Sequence, residues 1–434
     1  MKFSALLISI SLFFLPAIVH AQSQEFVSRQ GTKFYLQGKE FRFVGFNLFD
    51  AANTSAYSCP KENGWWTNIY TEADLNQELS FVKQQSGATV LRFWAYQRYT
   101  NGGTDWSGID KIIRIAKNNG FKIIPVLDDG PGYCTYPANS AKWKYNSDTW
   151  YTTGYKVKMG NYPLTYPEYV TAIVTRYKDE PTIFGWMMMN EADTSLKVNG
   201  KSALVGFAHD IGTRIKAIDQ NHLLTVGTQS NGASGATGND FLDVYGLSVI
   251  DFTEVHDWPY WGGDTDPLPE SSDGITLPDP DSPDCTKTYQ AKLACSIANS
   301  IQKLNKPIIM GEAGISAKTE TERIRRADLM DKKMNAFFKN GGAGYLVWQM
   351  NKVVDSEGFD ILMANNDPLL PKMKKYVVTN GDANGDGKTN GQDYVIWLTH
   401  YGTQTTQGIA VGDFNQDGVV NGQDYILWLG SYTG

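Results

Sequence analysis

The chain has 434 residues, of which 41% are hydrophobic and 20% are charged, and its formal net charge is -7. This length exceeds that of one small domain and accommodates a large barrel together with a smaller module. The negative charge argues against a nucleic-acid or anionic-membrane partner, because such contacts need clustered lysine and arginine.

The N-terminus has the features of an export signal. Lys2 provides a positive residue, and the largely apolar stretch that follows over residues 5–19 is shorter than the about 20 residues of a membrane span. Val19-His20-Ala21 fits a small-x-small cleavage site. We therefore predict a signal peptide over 1–21, a secreted or cell-surface protein, and no membrane span once the signal is removed. An uncleaved anchor is the alternative.

Short β-rich apolar segments alternate with helical patterns from Phe41 onward. Eight such segments occur, and each is almost continuously hydrophobic, as strands buried on both faces should be. They cover residues 41–49, 88–96, 121–129, 182–191, 222–229, 251–258, 306–314 and 343–350.

Helix-like patterns separate most of these segments, and those after the fifth and eighth are weakly marked. Strand and helix repeated eight times predict an α/β protein with a (β/α)₈ TIM barrel. A doubly wound open sheet is the alternative, but no glycine-rich phosphate turn follows its first strand. The clear helical patterns cover residues 71–85, 107–119, 166–179, 206–218, 291–304 and 322–338.

The composition changes at Asn380, where an internal repeat begins. GDANGDGKTNGQDYVIWL and GDFNQDGVVNGQDYILWL place equivalent residues 31 positions apart, as with Asp382 and Asp413. We therefore divide the chain into the signal peptide 1–21, a barrel domain 22–378 and a small α-helical module 379–434.

Four cysteines in an exported chain indicate two disulfides and allow three pairings. Cys285 and Cys295 are ten positions apart, so we expect them to close a local loop. Cys59 would then pair with Cys134.

Two glutamates close two of the eight apolar segments, Glu191 the fourth and Glu312 the seventh. The C-terminal ends of barrel strands meet at one face, where the active sites of this fold lie. Hydrolysis of a glycosidic bond needs two carboxyl groups, one to protonate the leaving oxygen and one to attack or to activate water. We therefore predict that Glu191 and Glu312 are catalytic.

The sequences around these glutamates, GWMMMNEAD and IIMGEAG, resemble motifs of clan A glycoside hydrolases, especially family 5. The resemblance covers roughly residues 31–370. It implies a retaining mechanism with a covalent glycosyl-enzyme intermediate, in which Glu312 is the nucleophile and Glu191 the acid/base. No cofactor is predicted for catalysis.

Other family positions carry over one at a time. Arg92 matches the arginine that keeps the nucleophile charged, because a nearby guanidinium lowers a carboxylate pKa. Asn190 matches the asparagine that hydrogen-bonds the sugar 2-OH, His256 the first residue of a His-x-Tyr motif, and Trp348 a sugar platform. A salt bridge, a core histidine and a core tryptophan are the structural alternatives for Arg92, His256 and Trp348. The predicted substrate-binding residues are Arg92, Asn190, His256, Trp258, Tyr260 and Trp348.

Two sites depart from the family pattern. Asp128 and Asp129 stand where the family usually has histidine or asparagine after the third strand. The tyrosine of His-x-Tyr is missing because Trp258 stands in its place, and Tyr260 is a candidate substitute.

The sequence segments VLRFWAY, YVTAIVTRYKDEPTIFGW and NEA resemble those of β-1,4-mannanases more than those of typical cellulases of the family. We therefore predict endo-acting cleavage of β-1,4-mannan or a related plant β-glycan. An endo-β-1,4-glucanase is the close alternative. A related clan A activity such as a β-glucosidase or xylanase, and a non-catalytic carbohydrate-binding barrel displayed through the tail, are further ones.

Each repeat of the tail fits a 12-residue calcium loop, which needs oxygen ligands at positions 1, 3, 5, 9 and 12, a backbone carbonyl at 7 and glycine at 6. A module of about 50 residues has little core of its own, so we predict that two Ca²⁺ stabilise it. The first loop offers Asp382, Asn384, Asp386, Lys388, Asn390 and Asp393, and the second offers Asp413, Asn415, Asp417, Val419, Asn421 and Asp424.

Aspartate at position 12, with a helix after each loop and none before it, resembles a type I dockerin. The resemblance implies docking to a cohesin-type scaffold protein. Positions 10 and 11, which usually take part in partner choice, are Gly-Gln in both loops instead of the commoner hydroxyl pair. A calcium-stabilised tail with another role is the alternative.

Overall fold

The computed structural model leaves several predictions outside its described residues, namely the signal peptide, Cys59, Tyr260 and Asp386. No helix in the part of the chain that it covers is long and apolar enough to cross a bilayer. The described residues are 25–58, 68–132, 134, 149–158, 162–228, 233–258, 276–353, 357–377, 381–384, 388–405, 407–415 and 417–432.

A small antiparallel sheet precedes the barrel and was not predicted from the sequence. Its strands are β1 (Ser28–Gln30), β2 (Lys33–Leu36) and β3 (Lys39–Glu40). The buried ring of Phe34 contacts Phe43, Phe184 and Phe252, which stand at or just before the starts of three barrel strands. The hairpin therefore covers the N-terminal end of the barrel, opposite the face expected to carry the site.

Each of the eight predicted apolar segments contains one strand of a single parallel sheet, and these strands are almost entirely buried. They are β4 (Phe43–Asn47), β5 (Val90–Trp94), β6 (Lys122–Val126), β7 (Gly185–Met187), β10 (Leu223–Thr225), β11 (Thr253–Asp257), β12 (Ile308–Ala313) and β13 (Gly344–Val347). A short hairpin, β8 (Lys197–Val198) with β9 (Lys201–Ser202), follows β7.

The strand order is β10-β7-β6-β5-β4-β13-β12-β11. The first and last barrel strands pair in parallel, with Gly344 opposite Phe43 and Val347 opposite Phe46. This pairing closes the sheet on itself and confirms the predicted (β/α)₈ barrel rather than an open sheet. Strands β10 and β11 end the hydrogen-bonded ladder, so the barrel is nearly closed.

Helices alternate with these strands as predicted, and the two weakly marked ones are short. Threonine side chains cap α1, α3 and α7, each as part of a capping box that satisfies the first free amides. The barrel helices are α1 (Glu72–Ser86), α2 (Ser107–Asn119), α3 (Tyr166–Tyr177), α4 (Ala203–Ile218), α5 (Gly238–Tyr245), α6 (Leu293–Ala298), α7 (Glu320–Lys339) and α8 (Leu369–Met373).

The described part of the tail contains the α-helices α9 (Gly391–His400) and α10 (Gly422–Ser431), each directly after one predicted loop. Trp397 and Trp428 belong to a small hydrophobic cluster of the tail's own. The indole of Trp397 donates to the Asn421 carbonyl, and that of Trp428 donates to the Asn390 carbonyl, both at 3.0 Å. These reciprocal bonds join the two repeats as equivalent halves.

The predicted Cys285–Cys295 disulfide is present. Cys134 is also disulfide-bonded, and its predicted partner, Cys59, lies outside the described residues.

Candidate active site

The two predicted catalytic glutamates stand at the C-terminal ends of β7 and β12. Glu312 belongs to β12 and is buried, whereas the side chain of Glu191, beyond β7, is 16% exposed. Glu191 has a φ of 49°, a left-handed conformation that is uncommon outside glycine and clusters at functional sites. Gly130 lies so close that a Cβ there would be 2.4 Å from the Glu191 carbonyl oxygen. The backbone of Glu191 is therefore held by close packing.

His256 lies between the two glutamates. Its Nδ1 is 2.8 Å from Glu191 Oε1 and 3.5 Å from Glu312 Oε2. One ligand-type atom from each of the three side chains lies within 4.8 Å of the other two. The register of β11 shifts at Val255/His256, and such irregularities re-aim side chains next to active sites.

Arg92, at the centre of β5, ties this group to its neighbours from inside the barrel. Its Nη1 donates to Glu312 Oε1 at 2.6 Å and to Asn47 Oδ1 at 3.0 Å. Its Nη2 donates to Asn190 Oδ1 at 2.6 Å. The guanidinium is fully buried, so its charge is poorly screened and acts strongly on Glu312. A salt bridge, which was the structural alternative, is therefore present and lies at the site itself.

The amide of Asn190 is fixed in orientation. Its Oδ1 accepts from Arg92, and its Nδ2 donates to Asp129 Oδ1 at 2.9 Å. Because Arg92 can only donate and the Asp129 carboxylate accepts, only one of the two amide orientations satisfies both bonds. Asp129, which departs from the family pattern, thus helps to fix the orientation of the Asn190 amide.

At Glu312 and His256, burial and neighbouring charges shift the pKa in opposite directions. Burial raises the pKa of Glu312 to about 7, while the charges of His256 and Arg92 lower it. Burial lowers the pKa of His256, but Glu312, Glu254 and the hydrogen bond to Glu191 together raise it to about 10. These contacts favour the protonated imidazole and connect His256 to both proposed catalytic glutamates.

Two functional neighbours were missed by the sequence analysis. Asn47 ends β4, accepts from Arg92, and donates to the Gly311 carbonyl at 2.9 Å. Glu254 Oε1 lies 2.6 Å from His256 Nε2. Glu254 could have been found, because residues i and i+2 of a strand share a face and Glu254 stands two positions before His256.

Aromatic side chains line the same end of the barrel. The Trp348 ring stacks on Phe49 with a centroid separation of 5.6 Å, and Trp258 packs edge-on against Trp348 at 6.0 Å. Trp348 is only 5% exposed, so much of its surface is covered by protein. Trp258 is partly buried and lies against Gly314, two residues after Glu312.

Asp128, the other departure after the third strand, is buried, and burial raises its pKa well above the usual value. Its carboxyl accepts from the Asp129 amide at 2.9 Å. The charge of the neighbouring Asp129 also raises the pKa of Asp128.

In the second tail loop, two carboxylates accept hydrogen bonds from backbone amides of the same loop. Asp413 accepts from the amides of Asp417 and Gly418 at 3.1 and 3.0 Å, and Asp424 accepts from the Asn415 amide at 2.9 Å. Gly418 has a φ of 87°, the turn that position 6 of a calcium loop requires. Burial and then the charges of Asp424 and Asp417 raise the pKa of Asp413, which is the situation that a bound cation relieves.

The first loop repeats part of this geometry. Asp393 accepts from the amides of Ala383, Asn384 and Asn390 at 2.8, 3.1 and 2.8 Å. Asp386 lies outside the described residues. The donor set of carboxylate, amide and carbonyl oxygens in both loops suits a hard cation such as Ca²⁺.

Comparisons with known proteins indicate a glycoside hydrolase. A family profile described as cellulase (glycosyl hydrolase family 5) matches residues 36–353. The chain is 26% identical over 384 residues to mannan endo-1,4-beta-mannosidase 3 of Arabidopsis thaliana, which covers 76% of this chain and 83% of that protein. It is 25% identical over 353 residues to mannan endo-1,4-beta-mannosidase A of Podospora anserina, with 74% and 80% covered.

A solved structure is similar in fold. The endo-1,4-beta-mannanase from Rhizomucor miehei aligns with a TM-score of 0.55 at 22% identity, over 80% of this chain and 97% of that chain. At this level of identity the match supports the barrel architecture.

Proposed function

The chain belongs to the cellulase family of glycosyl hydrolases, glycosyl hydrolase family 5, and on this premise we propose that it is a secreted, retaining, endo-acting hydrolase of β-1,4-mannan. The observation that carries the proposal is the pair Glu191 and Glu312, whose carboxylates approach within 4.8 Å across His256. Retaining enzymes place their carboxyl groups about 5–5.5 Å apart, and inverting enzymes about 6.5–9.5 Å apart to admit a water.

In the first step Glu312 attacks the anomeric carbon while Glu191 gives its proton to the departing glycosidic oxygen. The bond to the leaving sugar breaks, and an ester bond forms between the sugar and Glu312. In the second step Glu191 takes a proton from water, which displaces Glu312 and restores both carboxyl groups. The charge of Arg92 supports the role of Glu312 as nucleophile, because it favours the ionised carboxylate.

The substrate is proposed from the relatives, which are named mannan endo-1,4-beta-mannosidases. The aromatic group of Trp258 and Trp348 supports a sugar-binding role, because flat apolar ring faces complement the faces of pyranose rings. Asn190, held by Arg92 and Asp129, is the proposed partner of the 2-hydroxyl, the group whose orientation distinguishes mannose from glucose.

The test measures reducing-sugar release by the full chain from mannan, glucomannan, carboxymethylcellulose and xylan, with the anomeric configuration of fresh product followed by NMR. We expect the highest rate on mannan and a product that first appears in the β configuration. A higher rate on carboxymethylcellulose would favour the endoglucanase alternative, and an α product would contradict retention. Hydrolysis of none of the four would favour a carbohydrate-binding barrel.

We further propose that the tail binds two Ca²⁺ and docks to a cohesin-type scaffold. Three exposed apolar residues on or just after α9, Val395, Leu398 and Tyr401, are repeated 31 positions later at Ile426, Leu429 and Tyr432. An unpartnered apolar face that is duplicated in this way supports a docking role. The test is binding of the full chain to a panel of cohesin domains in calcium, with Leu398→Glu/Leu429→Glu as the variant. Failure to bind would favour a stabilising tail with another role.

A further inference from the structure

Glu254 is a carboxylate buried inside the barrel, one layer below the proposed catalytic pair. It is 0% exposed, and its Oε1 lies 2.6 Å from Nε2 of His256. The opposite ring nitrogen of His256 contacts Glu191 at 2.8 Å. The imidazole therefore connects a buried carboxylate to the proposed acid/base.

The neighbouring strand leaves room for this carboxylate. Gly311 directly precedes Glu312 on β12, and a Cβ at Gly311 would lie 1.8 Å from Glu254 Oε1. Any other residue at position 311 would displace Glu254 from His256. Oε2 of Glu254 has no hydrogen-bond partner among the described residues, so this carboxylate contacts a cationic group through Oε1 and His256, and the charge of Arg92 also acts on it.

Among the described residues, charged groups around His256 come from four elements. Glu254 lies on the same strand, Glu191 follows β7, Glu312 is on β12, and Arg92 on β5 pairs with Glu312. Tyr245 of α5 donates its hydroxyl to the Glu254 carbonyl at 3.2 Å. When Glu191 carries its acid proton and His256 is a cation, the two positive side chains balance Glu312 and Glu254.

From this arrangement we propose that Glu254 is a positioning residue for the acid/base step. Through its ion pair it keeps His256 protonated as the pH rises, so that the Nδ1 proton continues to hold Glu191 in place. The inference rests on the proposed roles of Glu191 and Glu312. Without the negative charge of Glu254, the same protonation state would carry a net charge of one positive unit and would lose a proton at lower pH.

The experiment compares the pH dependence of kcat/KM on mannan for the wild type and Glu254→Gln. Glutamine keeps an oxygen that accepts from Nε2 but removes the charge. Because an opposite charge in contact shifts a buried group by about 1–3 pH units, we expect the alkaline limb of Glu254→Gln to move to lower pH by about 1 unit or more.

Asp257→Asn is the matched control. Asp257 is the next buried carboxylate on β11, and it pairs with Lys333 of α7 at 3.1 Å, away from the catalytic pair. We expect this variant to melt at lower temperature with its alkaline limb in place. An unmoved limb in Glu254→Gln, or an equal shift in Asp257→Asn, would overturn the inference.

A second measurement does not depend on enzyme activity. In ¹⁵N-histidine NMR of the wild type, with His256→Asn to assign the signal, both ring nitrogens of His256 are expected to stay protonated above pH 8. A neutral His256 ring at pH 7 would overturn the inference even if Glu254→Gln fails to fold. Since this NMR measurement involves no sugar, its result is independent of whether the wild type hydrolyses mannan.

Discussion

The barrel site and the second tail loop both gather carboxylates, but they differ in what balances the negative charge. In the barrel, Arg92 contacts Glu312 at 2.6 Å and His256 contacts Glu191 and Glu254 at 2.8 and 2.6 Å. In the loop, the neighbouring charges that act on Asp413 are those of Asp417 and Asp424, which have the same sign.

Under the calcium proposal, this difference separates a site whose charges the chain itself balances from one whose charges a bound cation would balance. In the barrel, Arg92 and His256 hold the proposed catalytic carboxylates in place before any sugar arrives, which would lower the reorganisation needed in the transition state. The carboxylates of the loop repel one another, so a bound divalent cation would contribute directly to folding of the tail. We therefore expect substitutions in the barrel to change rates and those in the loop to change stability.

The largest effect is expected from removing the proposed nucleophile. Glu312→Ala should lower kcat on mannan by roughly 10⁴-fold or more, because no other group forms the covalent intermediate. The measurement is initial reducing-sugar release at saturating substrate. Glu320→Ala, which removes an exposed glutamate in the first turn of α7, is the control and should leave the rate unchanged. Wild-type activity in Glu312→Ala would exclude the nucleophile assignment.

Removing the barrel's internal cation should move the acidic limb of the pH profile. Arg92 lowers the pKa of Glu312, so in Arg92→Met that pKa rises and the nucleophile is protonated at higher pH. We expect the acidic limb of kcat/KM to move upward by about 1–3 pH units, together with a lower maximum rate.

Arg326→Met is the control for loss of a buried arginine, since Arg326 pairs with Asp367 away from the site and is 2% exposed. This variant should lose stability and keep the acidic limb where it is. If the limb of Arg92→Met coincides with that of Arg326→Met, Arg92 has no specific effect on the ionisation of Glu312.

Calcium removal should affect the tail and spare the barrel. At a calcium concentration 100-fold above its Kd, one site stabilises the folded state by about 2.7 kcal/mol. Calorimetry of the full chain with chelator should therefore shift one transition, which Asp413→Asn should partly reproduce in calcium. Asp284→Asn, at an exposed aspartate paired with Lys287, is the control. Identical scans with calcium and with chelator would contradict the calcium proposal.

The barrel was predictable because its strands are buried on both faces. Segments such as 182–191 and 306–314 are almost continuously apolar, and a polar residue at the end of such a segment is conspicuous. The hairpin of β1 to β3 was missed because its strands are short and mostly half exposed, which leaves little periodic hydrophobic signal.

The positions of Glu191, Glu312 and Arg92 were predictable from strand ends and family motifs, but their connections were not. Asn47 and Asp129 take part through contacts between strands far apart in the sequence, such as the bond from Asn190 to Asp129. Strand position indicates which residues share a face, but which side chains touch also depends on register, including the shift at His256.

The smallest expected effect compares the same kind of helix cap in the two regions. Thr165 caps α3 of the barrel and Asn421 caps α10 of the tail, each within a capping box. Replacing a capping residue by alanine costs about 1 kcal/mol. We expect Thr165→Ala to lose this amount with or without calcium. Asn421 is also a proposed calcium ligand, so Asn421→Ala should lose more in calcium than in chelator.

The measurement is the change in melting temperature of the transition that each variant affects, taken in both conditions. A calcium-dependent excess at Asn421 with none at Thr165 would place the added ion in the tail loop and leave the barrel independent of it. Equal losses in both conditions at Asn421 would reduce its role to capping. The second loop would then have to tolerate the mutual repulsion of Asp413, Asp417 and Asp424 without a cation, and the contrast between the two regions would fail.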